Sequence, residues 1–332
     1  DLVSSRGLGD VYKRQIAYMV IVSYQYNAGG AVIYTVLKDV LVDSYGDPLI
    51  SIQLGTIIAA VFIIFYTMLA GLVSVAYTDV ANGIIIITSF VIAIPIFFIK
   101  AGGLEGMAIS FAEMDKNSHM NFWGVYSLMD VINFCLPSFL LIMGDANMYQ
   151  RFFASKDAKG AKSATKTLII AVAIAELMII IAAWIASSMI PDAEIGKYVL
   201  IYASHEFLPP FIGAVMMTTI VGIIISTADS YLLVPTTTLM RDIYLNYFDK
   251  DADQKKIVFL SRVLVVVLGI IAYIVSLGFA KSAGFFERAL YAYTIYGAAI
   301  TPSLVAALFW KEATKQGAIT SILVGTITTL LW

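Results

Sequence analysis

From Ile16 onward the chain alternates between long, continuously apolar runs and short polar stretches marked by charges, glycine and proline. A helix needs about 20 mostly apolar residues to cross the hydrocarbon core of a bilayer. Nine segments meet that length, at 16–37, 49–70, 72–99, 127–149, 166–190, 209–239, 257–280, 286–310 and 314–332. The runs lack the alternation of polar and apolar positions that barrel strands require. The pattern therefore predicts an all-α, polytopic membrane protein. Composition agrees: 60% of the 332 residues are hydrophobic and 13% charged, where soluble domains sit nearer about 45–50% and about 25%. Lipid must cover that much apolar surface.

The first fifteen residues differ from the rest. They are polar, start without methionine and abut the apolar run at Ile16, with neither the apolar stretch nor the small-residue cleavage site of a signal peptide. The string resembles translated adapter sequence. The expectation is a non-native leader over 1–15 and one transmembrane domain over 16–332, cut at both ends, since the last apolar run stops abruptly at Trp332.

Loop charges set the orientation. One side carries twelve basic residues, among them Arg151, Lys156, Lys159, Lys162, Arg241, Lys255, Lys256 and Lys311. The other carries six, Lys38, Lys100, Lys116, Lys197, Lys281 and Arg288, amid acids such as Asp39, Asp192, Glu194, Glu206 and Glu287. The lysine-rich side is cytoplasmic by the positive-inside rule, which points to a multi-pass protein of a bacterial plasma membrane. A net charge of −2 offers no concentrated basic face for nucleic acid. The single cysteine, Cys135, supports neither a disulfide framework nor a cysteine metal site.

Ionisable groups at membrane depth are costly, so each is a functional candidate. Five acids qualify: Asp79, Asp130, Asp145, Glu176 and Asp229. Asp130 lies one turn into its span and is expected to reach water. Asp145, six residues before Arg151, is expected to cap a helix or form an ion pair. Glu176 is a lone acid in an apolar run with no partner in sequence. The stretch before Asp79 carries no Lys or Arg, so its charge is expected to stand without local neutralisation. Asp229 belongs to a cluster: helical spacing places Ile223, Ser226, Thr227 and Ser230 on one face with Asp229 alongside. Hydroxyls and a carboxylate on one face offer the hard oxygens that a small alkali cation prefers. Pro137, Pro235 and Pro302 mark expected breaks in three spans.

At this point three stretches resemble the sodium/solute symporter family. Leu72 to Val80, ending Tyr-Thr-Asp-Val, is similar to the start of its core helix 5. Met148 to Lys159, with Gln150-Arg151, is similar to the loop after core helix 6. Ile225-Ser-Thr-Ala-Asp-Ser-Tyr-Leu-Leu233, followed by Arg241-Asp-Ile-Tyr244, is similar to the core helix 8 signature. The resemblance implies a LeuT-type inverted-repeat transporter core, with this chain holding core helices 3–10 and most of 11. It implies sodium as coupling ion, held partly by the Ile223 carbonyl and the Ser226 and Thr227 hydroxyls. A second sodium site found in some members would use Asp79 with Ser226, Asp229 and Ser230. Asp229 stands where those members carry serine, so that position would bind a cation more strongly or use a proton instead.

The family's carriers handle proline, sugars, pantothenate, sialic acid and monocarboxylates, and the resemblance places Ser138, Leu141 and Thr294 at sugar-gripping positions. An apolar Leu141 argues against a sugar. Tyr24, Gln25 and Asn27, with Tyr293 and Tyr296, are the remaining polar or aromatic lining candidates, equally suited to packing. The expected function is sodium-coupled symport of a small organic solute within the lipid bilayer, with no obligate protein partner evident. A channel or a proton-coupled carrier is the alternative. An enzyme is disfavoured: the faint pairing of Asp79 and Asp145 lacks the glycine of an aspartyl-protease motif, and His119 and His205 do not form a His-Glu-x-x-His zinc site.

Overall fold

A computed structural model of the chain describes residues 8–70, 72–191, 196, 198–279, 290, 293–294 and 296–331. The outer charges Lys197, Lys281, Arg288, Asp192, Glu194 and Glu287, and the first residues of the span expected at 286–310, lie outside these. Within them the chain is helical, with one isolated bridge between Val42 and Pro48.

The first helix, α1 (Leu8–Leu37), starts ahead of Ile16 and is the hub. Its buried positions Tyr18, Ile21, Val22, Tyr26, Ala31 and Val32 face several neighbours at once. It packs against α2 (Ile52–Leu69), α9 (Pro210–Thr238) and α10 (Gln254–Phe279). The α1–α2 seam depends on the absence of side chains. A Cβ on Gly30 would lie 2.7 Å from the Thr56 backbone nitrogen, and one on Gly55 would lie 2.6 Å from the Gly30 carbonyl oxygen. Small residues are how helices approach closely in lipid, where no hydrophobic effect drives them together.

A second core joins α3 (Leu72–Lys100), α4 (Gly103–Glu113) and α7 (Ala158–Met189) through Phe90, Phe97, Met107, Phe111, Ile185 and Ala186. In sequence α5 (Leu128–Gly144) and α6 (Ala146–Phe153) fall between α4 and α7, and the short helix α8 (Val199–Glu206) follows α7. The chain closes with α11 (Thr301–Phe309) and α12 (Lys315–Leu331), which pack together. Polar caps start several helices: Ser51 before α2, a Ser127–Asp130 capping box at α5, and Asp157 before α7.

Among the described residues, six helical stretches are long and apolar enough to cross a membrane. The other expected spans are α1, the span at 286–310, part of which lies outside the described residues, and α12. Helix α1 is long enough but carries Ser23, Tyr24, Gln25 and Asn27 in its middle, as a helix buried among others can. Residues 296–309 form a shorter apolar helix with a turn at Ile300, just before Pro302. Helix α12 has 17 residues.

Pro137 does not end its span; it sits inside α5, and the break falls eight residues later at Asp145. There the backbone turns extended and the Asp145 carboxylate accepts the Asn147 amide at 3.0 Å, starting α6. A proline removes one donor, but a capping side chain restarts a helix. Pro235 also lies within helix, and α9 continues into ten residues of wider π-helix, Leu239–Phe248.

Candidate functional site

Helix α9 turns one polar face toward α3. Thr219, Gly222, Ser226 and Ser230 are spaced three, four and four residues apart, which keeps them on one side. Their partners run the other way along α3, so the two helices are antiparallel. Ser89 Oγ and Thr219 Oγ1 are 2.7 Å apart, and Asn82 Nδ2 donates to the Gly222 carbonyl at 3.4 Å. Ser226 Oγ donates to Asp79 Oδ1. Below that rung, Arg151 of α6 reaches in: Nη2 donates to Asp79 Oδ2 at 2.8 Å and to Ser230 Oγ at 3.0 Å.

Arg151 corrects one expectation. Asp79 is neutralised, by a guanidinium 72 residues away rather than by its own loop. Arg151 therefore serves Asp79, while Asp145 is the α6 cap and hydrogen-bonds to tyrosines.

Two of the expected sodium ligands have a suggestive disposition of protons. Thr227 Oγ1 donates to the Ile223 carbonyl at 2.9 Å, and Ser226 donates to Asp79. Each hydroxyl has spent its only proton, so its lone pairs are free to face a cation. Both residues are half-buried; Ser230 and Asp229 are buried, Asp229 fully. Neither carboxylate oxygen of Asp229 accepts a hydrogen bond of good geometry among the described residues. A buried carboxylate with no well-formed hydrogen bond is costly, and a bound cation or proton relieves it.

A separate polar knot holds the α5–α6 break. Tyr18 donates to Asp145 Oδ1 at 3.2 Å and its hydroxyl lies 3.0 Å from that of Tyr296. Tyr296 donates to the Gly144 carbonyl at 3.0 Å and accepts from the Ala146 amide at 3.2 Å, while Tyr231 reaches Asp145 Oδ2 at 3.5 Å. The Tyr18 ring lies 5.1 Å from that of Tyr231 and 5.5 Å from that of Tyr296. Gly144 admits this approach, since a Cβ there would lie 2.5 Å from Thr301 Oγ1.

The solute-lining candidates divide accordingly. Tyr296 is engaged in the knot and Leu141 packs beside it in the core. Thr294 turns its hydroxyl back to the Leu290 carbonyl at 2.8 Å. Gln25 is buried, and Asn27 and Ser138 are half-buried. Tyr24 and Tyr293 pair through their hydroxyls at 3.0 Å. Asp130 is occupied in its capping box, and Glu176 is exposed on α7. Sequence reasoning missed the roles of Arg151, Asn82, Tyr18 and Tyr231. Arg151 was visible as part of the Gln-Arg loop, but nothing in its spacing pointed to Asp79.

Fold and site together define a class: a multi-pass helical membrane protein whose interior helix pair carries hydroxyls and carboxylates suited to a small cation. The sequence profile of the sodium:solute symporter family matches residues 48–325, and the chain belongs to that family. It is similar to the osmoregulated proline transporter OpuE of Bacillus subtilis, at 27% identity over 291 residues, taking in 84% of this chain and 57% of that protein. The sodium/proline symporter of Escherichia coli is 26% identical over 289 residues, with 81% and 54% covered. The chain spans about half the length of the curated relatives it matches. A solved structure of a Na+-coupled sialic acid symporter, substrate-bound and outward-open, superposes with a TM-score of 0.59 at 17% identity, covering 97% of this chain and 75% of that one. The shared fold is the LeuT-type transporter core.

Proposed function

We propose that this chain forms the core of a sodium-coupled carrier that moves a small organic solute across a bacterial plasma membrane by alternating access. The observation that carries the reading is the α3–α9 contact at Asp79 and Ser226, beside Thr227 and the fully buried Asp229. Sodium is cargo in this scheme. The Ile223 carbonyl and the Ser226 and Thr227 hydroxyls contribute oxygens to one sodium position, and Asp79, Asp229 and Ser230 to a second, nearer Arg151. Relatives named as proline transporters make proline the first solute to try. Gln25, Asn27, Ser138 and Thr294 are the polar side chains on offer to it, with Tyr24 and Tyr293.

The test is uptake of labelled proline by the whole protein in proteoliposomes, under inward gradients of sodium, potassium or protons. Uptake that follows the sodium gradient supports the reading. Uptake that follows only the proton gradient assigns Asp229 to proton coupling instead. Sodium flux without solute, saturating at no concentration, would make the protein a channel.

A further inference from the structure

The tyrosine knot at Asp145 does not balance when its protons are counted. Three oxygen–oxygen contacts run through it in series. Asp145 Oδ1 meets the Tyr18 hydroxyl at 3.2 Å, that hydroxyl meets Tyr296 at 3.0 Å, and Tyr296 meets the Gly144 carbonyl at 3.0 Å. Each contact needs one proton, and a phenol carries one. With Asp145 ionised, Tyr18 gives its proton to the carboxylate and Tyr296 gives its own to Gly144. The two phenol oxygens are then 3.0 Å apart with no proton between them, at a separation that leaves no room for a water. Any other assignment of the two protons leaves a different one of the three contacts without one.

A proton on Oδ1 removes the deficit. Asp145 then donates to Tyr18, Tyr18 to Tyr296 and Tyr296 to Gly144, so that every contact holds a proton. Oδ1 still accepts the Asn147 amide, and Oδ2 still faces Tyr231. The distances agree. A hydroxyl bonded to an ionised carboxylate draws in to about 2.5–2.7 Å, as Ser127 does to Asp130 at 2.7 Å. Tyr18 and Tyr231 stand off Asp145 at 3.2 and 3.5 Å. Burial agrees too, since Asp145 is 6% exposed and Tyr18 and Tyr296 are 1% exposed each, which leaves little water to solvate a charge. The titratable groups around Asp145 are phenols: Tyr18 from α1, Tyr231 from α9, and Tyr296. Tyr293 and Arg151 act on it only electrostatically, and the Arg151 guanidinium is bonded to Asp79 and Ser230.

We propose that Asp145 is a proton-binding site: it holds a proton while the knot is closed and releases it to cytoplasmic water when α6 parts from α1. The loop charges place the knot on the cytoplasmic side of the sodium oxygens. Tyr231 follows Thr227 by four residues toward Arg241, about 6 Å along the axis, and Tyr18 lies near the start of the first apolar run. The release step rests on the carrier reading, which requires the cytoplasmic side to open. The bound proton does not, because it follows from the contacts alone.

Infrared spectra of the whole protein in nanodiscs at neutral pH test for the bound proton. A carbonyl band of a protonated carboxylic acid should be present in the parent and lost in Asp145→Asn. It should move to higher frequency in Tyr18→Phe, which keeps the ring but removes the acceptor, and persist in Asp229→Asn. Asparagine caps a helix as well as aspartate does and can donate to Tyr18. Asp145→Asn should therefore denature at least as hot as the parent, and Asp145→Ala, lacking cap and donor, at a lower temperature. Release is read in proteoliposomes. Acidifying the side that α6 faces should slow sodium-driven proline uptake by up to about tenfold per pH unit, the limit for one proton, while Asp145→Asn holds a slow rate at every pH. A carboxylic-acid band unaltered in both Asp145→Asn and Tyr18→Phe overturns the proposal, as does an Asp145→Asn protein no more stable than Asp145→Ala. Fast uptake by Asp145→Asn that follows pH as the parent's does overturns the release step. Absence of sodium-driven uptake in the unsubstituted protein would defeat the carrier reading instead, and the infrared and stability results would still decide the proton.

Discussion

Ser226 and Thr227 each donate a single hydroxyl proton to a neighbouring oxygen, and this separates a ligand from an ordinary helical hydroxyl. Thr227 alone would pass for one of the back-bonded threonines common in membrane helices, such as Thr236 and Thr237 further along α9. Ser226 differs because its acceptor is a carboxylate on another helix. We expect Ser226→Ala with Thr227→Ala to raise the sodium concentration for half-maximal uptake about tenfold or more, the loss of roughly 1.4 kcal/mol or more of ligation. Unaltered sodium dependence in that double variant sinks the assignment. Arg151 acts in the opposite sense, as a fixed positive charge 2.8 Å from Asp79. Arg151→Gln should lower the half-saturating sodium concentration, and adding Asp79→Asn should cancel that gain. If Arg151→Gln shifts sodium dependence equally with and without Asp79, the guanidinium does not act through that carboxylate.

Among the helices, the apolar pattern made existence legible but not every boundary. The runs that became α2, α3, α7 and α9 could be read directly, because lipid demands continuous apolar length. The break at Asp145 could not be read from Pro137. Its sign was the Gly144-Asp145 pair, a glycine followed by a good N-cap, hidden inside an apolar run that masked it. The glycines at the α1–α2 seam were equally silent in sequence, since a Gly is informative only beside what it touches. Gly30→Leu should cost about 1–3 kcal/mol or prevent folding, because the new atoms meet α2 backbone that cannot move aside. Gly83→Ala, where a Cβ meets nothing within 4 Å, is the matched control and should leave thermal denaturation nearly unchanged. Equal tolerance at both glycines would mean that the seam is looser than its geometry.

For the whole molecule, the family and the sign of the ion were within reach of the sequence, whereas the wiring of the site was not. Asp79 and Arg151 are joined across 72 residues, and Tyr18 and Tyr296 across 278. Pairings at such separations follow from how helices fold back on one another, and no local spacing encodes them. The orientation has a direct check. In a Cys135→Ser background, Lys162→Cys should react with an impermeant thiol reagent only from the cytoplasmic side, and Lys100→Cys only from outside; the reverse pattern would invert the topology. The knot at Asp145 has one further consequence, which concerns inheritance rather than geometry. Because a single carboxylate collects hydroxyls from α1 and α9 and starts α6, while Tyr296 joins Tyr18 to the same break, Tyr18→Phe, Tyr231→Phe and Tyr296→Phe should not behave as independent lesions. Once one is present, the others should do less additional harm, so tolerated sequences at these positions would drift together, and a double-mutant cycle with zero coupling would show the knot to be a set of separate contacts.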